Sequence, residues 1–186
     1  MTQIETVENR IEKLDTLFKD YGYSGFKWID PKKIVVAQWV RMKCIFGCNE
    51  YGKNCSCPPN VPSVLECERF FHEYTKAVIF HFAKKVDKPE DRHEWTRQIN
   101  LKLSKLEREV FISGYPKTFL LFMDSCTICN NCPGEREKCL HPEMARPGPE
   151  SMAVDVFSTV RQYGFPIEVC KDYSQEMNRY SFLMIE

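Results

Sequence analysis

Four cysteines stand close together at Cys126, Cys129, Cys132 and Cys139, the first three in the run Cys126-Thr127-Ile128-Cys129-Asn130-Asn131-Cys132. Two successive C-x2-C steps wrap a chain tightly around one compact object, and an iron–sulfur cluster suits that wrapping best. Three thiolates at this spacing can meet neighbouring corners of a cubane, with a fourth supplied from farther along or from another segment. Zinc is the alternative. A zinc site, however, favours two separated knuckles meeting in a tetrahedron, with about a dozen or more residues between them. Only six residues separate Cys132 from Cys139.

A second group comprises Cys44, Cys48, Cys55 and Cys57, followed by Pro58-Pro59. Its spacing matches no regular zinc knuckle. Cys55 and Cys57, one residue apart, are expected to point to opposite sides, so both bind one cluster only if the chain turns between them. Cys44, Cys48 and Cys57 are therefore ranked as ligands ahead of Cys55. Three thiolates would leave one iron open to a substrate, a water or a ligand from another segment.

These residues carry a resemblance. Arg41-Met42-Lys43-Cys44, Gly47-Cys48, Tyr51-Gly52 and Cys57-Pro58-Pro59 resemble the opening signature of the DUF2284 family, prokaryotic proteins described as predicted metal-binding. Cys126, Cys129, Cys132 and Cys139, followed by His141-Pro142, Arg146-Pro147, Glu150, Asp155-Val156 and Gly164, resemble its second signature. The likeness runs from about Val40 to the end of the chain. It implies metal binding through seven shared cysteines, three in the first group and four in the second. Cys55, Cys67 and Cys170 fall outside that set. No established reaction comes with it.

The elements that must position these thiols alternate between helix and strand. Thr2 and Glu5 form a capping box ahead of Ile4, Val7, Ile11, Leu14 and Phe18, which recur at helical spacing. Lys33 to Val40 is a β-branched run leading into Cys44. Ser63 with Glu66 opens a helix whose stripe Val64, Cys67, Phe71 and Tyr74 faces a core, so Cys67 reads as a small buried hydrophobe. Ala77 to Phe82 is a strand, and Pro89-Glu90 opens a long helix closed by Gly114. Thr118 to Met123 is a buried strand delivering Cys126. A helix over Glu150 to Tyr163 follows, then strands at Ile167 to Val169 and Tyr180 to Ile185. The pattern predicts an α/β fold in one domain over residues 1–186, a mixed β-sheet flanked by helices. The cysteine loops, at about 41–60 and 124–147, are expected at one rim of that sheet, where parallel strands ending at Val40 and Met123 would place them.

Composition agrees with a small redox protein. Hydrophobic residues make up 43% of the 186, enough for a core, and the net charge is zero, so no nucleic-acid field is expected. The N-terminus shows no secretion signal and no apolar run suggests a membrane span, so the expected location is cytoplasmic. Cysteines in a reducing compartment are more often ligands than disulfides. Arg41, Lys43 and Arg146 flank the groups and could offset thiolate charge. Arg136 and Lys138 read as solvated, and so does His141. Arg146-Pro147 with Asp155 is read as a brace for the second loop, and Cys170 as a free thiol.

The expected function is that of an iron–sulfur protein holding one or two [4Fe-4S] clusters and exchanging electrons with a partner redox protein. The alternative is an enzyme, or a sulfur- or metal-handling protein, working at an open iron on Cys44, Cys48 and Cys57. A zinc-stabilised interaction module is the third reading.

Overall fold

Strand β2 (Ala77–Lys84) turns Val78, Phe80 and Phe82 to one face and Ala77 and Ile79 to the other, and all five are buried. A strand apolar on both faces needs cover on both. The computed structural model, which describes residues 7–172 and 175–186, supplies it. Against one face lie α1 (Val7–Asp20) and α4 (Pro89–Ile112), whose Leu14, Phe18, Leu103, Leu106 and Val110 join one core. Against the other lie α3 (Val64–His72) and α5 (Val156–Gln162), with Cys67, Phe71 and Val160 in a second core. The result is an α/β sandwich. The capping box of Thr2 and Glu5, with Ile4, lies outside the described residues. The box of Ser63 and Glu66 forms as expected.

The sheet runs β1 (Phe26–Ile29), β2, β4 (Met177–Met184) and β3 (Phe119–Leu121) in spatial order, and every pairing is antiparallel. A mixed ladder was expected because helices separate the strands. β2 and β3 do run the same way, joined through α4. β4 lies between them, Phe182 pairing with Ile79 on one side and Leu121 on the other. This is a split β-α-β arrangement, in which the crossover survives and the parallel ladder does not.

Three further expectations are corrected. Lys33 to Val40 is no strand: only Val36 makes a bridge, to Val154, and α2 (Gln38–Gly47) begins two residues later. Gln38, Arg41, Met42 and Lys43 are good helix formers, which outweighs the β-branched start. Val40 therefore lies in a helix, and the two cysteine groups do not follow a pair of parallel strands. The helix over Glu150 to Tyr163 is interrupted: a 3-10 turn (Glu150–Met152) ends at Ala153, whose φ of 59° is left-handed, and α5 starts afresh at Val156. The break frees Val154 to bridge Val36. Ile167 to Val169 forms no strand, although Ile167 is buried. Among the described residues, no helix is long and apolar enough to cross a membrane.

Candidate metal centre

Helix α2 carries Cys44 in its last turn and ends with Cys48 as its C-cap. Four residues apart, they share one side of the helix end. The following loop returns Cys57 to them. Burial, first, and then the neighbouring thiols of Cys44, Cys48 and Cys126 push Cys57 up to about 11, against a hydrogen bond donated by the Ser151 hydroxyl at 3.3 Å. Cys44 is also raised, by burial and then by Cys48, while the Arg41 guanidinium opposes the shift. Arg41 donates through Nη2 to the carbonyls of Pro62 and Ser151, each at 3.0 Å, and so ties α2 to the segments around Cys57.

The second group gathers just beyond β3. Burial raises Cys129, and the thiols of Cys126, Cys132 and Cys139 add to it. Cys126 is raised by burial and by Cys132 and Cys139, while hydrogen bonds from the backbone of Ile128 and Arg146 lower it. Backbone donors aimed at a cysteine sulfur stabilise the thiolate that a metal requires.

Cys55 belongs spatially with this second group. Its Sγ lies 3.4 Å from that of Cys132, its N–H donates to Cys132 Sγ at 3.3 Å, and its thiol donates to the carbonyl of Glu135 at 3.0 Å. Against its own desolvation, Cys132 is held below the usual thiol range by hydrogen bonds from Cys55 and Gly134. Cys55 is buried, and that burial, with the adjoining Cys132 side chain, pushes its own thiol up. Cys55 and Cys57 thus serve different neighbours.

The two loops interlock. Asn54 donates through Nδ2 to the carbonyl of Cys126 at 2.9 Å and accepts from the N–H of Ser56 at 2.8 Å. Asn60 bridges the carbonyls of Asn54 (3.1 Å) and Gly134 (2.6 Å). Gly134, at φ +83°, sits so close that a Cβ would lie 3.1 Å from the Gly52 carbonyl oxygen.

Behind the second loop, α4 presents a buried polar stripe of Thr96, Asn100 and Glu107. Asn100 donates to the carbonyls of Met123 and Ser125, both at 3.1 Å, and accepts from the Met123 N–H at 2.9 Å. Glu107 accepts from the Leu120 N–H and from Arg146 Nε, both at 2.9 Å. Arg146 therefore braces the loop through Glu107. Asp155 instead caps α5, accepting from the N–H of Ser158 at 3.0 Å. Asp124, at φ 60°, pairs with Arg92 at 3.0 Å and Arg179 at 3.2 Å, and Thr96 donates to it at 3.3 Å. These contacts hold a left-handed residue two positions ahead of Cys126, a conformation that needs such support. A Cβ on Gly148 would overlap the Asp124 carbonyl oxygen, so only glycine fits there.

The remaining candidates lie elsewhere. Cys67 is fully buried in the core, and Cys170 makes its hydrogen bond to the Glu176 carbonyl. His141, Arg136 and Lys138 are exposed. Among the described residues, no three His, Cys, Asp or Glu side chains converge closely enough to hold a single metal ion as they stand.

A family model described as a predicted metal-binding protein, DUF2284, matches residues 27–185. The chain belongs to the DUF2284 family. No curated protein and no solved structure matches it. Within this DUF2284 protein, the residues that hold the loops, Asn54, Asn60, Asn100, Glu107, Asp124 and Ser151, were not identified from sequence. One signal was available. Thr96, Asn100 and Glu107 are polar residues on the same side of α4 as Leu103, where an apolar stripe calls for hydrophobes.

Proposed function

We propose that this DUF2284 protein holds two [4Fe-4S] clusters and passes electrons to or from a partner redox enzyme. The observation that carries the reading is where the fold puts the thiols: Cys44 and Cys48 close α2 beside Cys57, while Cys126, Cys129, Cys132 and Cys139 gather beyond β3 with Cys55 against Cys132. The two successive C-x2-C steps from Cys126 to Cys132 suit a cubane better than the separated knuckles of a zinc site. Arg41 and the backbone donors at Cys126 and Cys132 would offset thiolate charge and tune the potential. The cluster would supply the electron exchange, and the protein ligation, burial and hydrogen bonds.

The place of Cys55 favours a second reading of the first group. With Cys55 turned toward Cys132, three thiols remain, and a cubane there has one iron free to take a substrate or a sulfur atom as a Lewis acid. Anaerobic purification with iron, acid-labile sulfide and zinc assays tests both readings. About eight irons per chain, in a brown protein bleached by dithionite, is the expected result for two cubanes. A colourless protein with stoichiometric zinc removes both readings.

A further inference from the structure

A chamber of about 330 Å³ opens beside the second cysteine group, with Cys55 in its wall. Phe70, Phe119, Met152 and Pro147 form much of its wall, and Arg136 and Arg146 are its cations. Among the described residues, no Asp or Glu lines it. Phe70 and Phe119 meet edge to face at 5.2 Å and are each only partly buried, leaving aromatic surface unspent.

The two arginines differ. Arg146 is engaged: Nε holds Glu107, Nη1 donates to the carbonyls of Glu143 and Ala145 at 3.1 Å, and its guanidinium lies 5.5 Å from the Phe119 ring. Arg136 is exposed and has no carboxylate partner among the described residues, only a 3.5 Å hydrogen bond to the Pro142 carbonyl. Ser56, also on the wall, keeps its hydroxyl buried without a hydrogen-bond partner. An apolar chamber of this size with a few convergent polar groups is the usual form of a small-molecule site.

We propose that the chamber binds a small organic carboxylate, with its apolar body against Phe70, Phe119 and Met152 and its anionic group on Arg136. A guanidinium fork matches a carboxylate in shape and charge, and a wall without acids does not repel one. Binding needs no metal. Its consequence for chemistry alone rests on the cluster reading: Cys55, on the wall, lies 3.4 Å from Cys132, so a bound acid would sit beside the second group.

The test uses the full chain purified anaerobically, with benzoate, phenylacetate and hexanoate as probes and benzyl alcohol as the neutral control. Saturation-transfer NMR and calorimetry report affinity, and the ¹³C-methyl signal of Met152 reports location. At least one acid should bind, shift Met152 and exceed benzyl alcohol in affinity. Arg136→Gln, an exposed change, should weaken the acid about tenfold, the scale of one charge-assisted hydrogen bond, and leave the alcohol unchanged. Val61→Phe, which fills the chamber from its wall, should abolish binding. Absence of binding by all three acids, equal affinity for acid and alcohol, or an unaffected Arg136→Gln variant overturns the proposal. Iron assayed on the same sample separates the two ideas: an iron-free chain that binds the acid keeps the chamber and loses the clusters.

Discussion

One residue separates Cys55 from Cys57, and they face different groups. Cys55→Ser should retain nearly full iron, because a hydroxyl can still donate to the Glu135 carbonyl that the thiol now serves. Cys57→Ser should lose one cluster's worth, roughly four irons, and keep the second group's. Iron and sulfide per chain decide it, and equal losses in the two variants would show that both thiols ligate. A pH effect follows from Cys57 as well. Burial, then the neighbouring thiols, raise its pKa in the folded chain to about 11 from an ordinary 9.0. The folded state therefore binds the proton more tightly than the unfolded chain does. Its contribution is complete below pH 9 and is lost as pH rises toward 11. The urea midpoint of the metal-free protein should fall between pH 8.5 and pH 10.5, and fall less in Cys57→Ser. A fall of the same size in both would remove Cys57 as the cause.

At the scale of elements, α4 has two tasks: Leu103, Leu106 and Val110 fill the core, and the polar stripe fixes the loop that presents Cys126. Asn100→Ala strands buried backbone groups of Met123 and should lower stability by about 2–3 kcal/mol. Urea unfolding measures that loss, which should come with lower iron retention. Asn100→Asp, which keeps an acceptor for the Met123 N–H but sets a buried carboxylate against the Met123 and Ser125 carbonyls, should be at least as damaging as alanine. An alanine variant with unchanged stability would show the hydrogen bonds to be dispensable. Gly148→Ala should be worse, since its Cβ meets the Asp124 backbone rather than a yielding side chain. The helix itself was legible from Pro89 to Gly114, because its periodicity and its end signals are local. The roles of Asn100 and Glu107 were not, because their partners lie 23 and 13 residues away along the chain. Lys33 to Val40 failed for a related reason: a β-branched run has no ladder unless a neighbouring strand is present, and only Val154 is there.

Over the whole molecule, the sheet and the loops answer to different parts of the sequence. The apolar stretch of β2 and the crossover helix α4 identify an α/β sandwich. Nothing local tells that β4, the last element, inserts between β2 and β3. The cysteine spacings divide the thiols into two groups but do not say how far apart the groups lie. The fold brings them together: Asn54 in the first loop holds the Cys126 carbonyl, Gly134 packs on Gly52, and the Cys126 thiol helps to raise that of Cys57. On the two-cluster reading, reduced paramagnetic clusters held by loops in contact would interact magnetically. The EPR spectrum of the dithionite-reduced protein should therefore show broadening or splitting beyond the sum of two isolated signals. On that reading Cys57→Ser loses the first cluster and should collapse the spectrum to a simple signal from the second. Asn54→Ala, which releases the tie to Cys126 while sparing every cysteine, should keep both clusters and weaken their interaction. Two unperturbed, additive signals in the wild-type protein would mean that the clusters sit too far apart to relay electrons, and the electron-carrier reading would lose its structural basis.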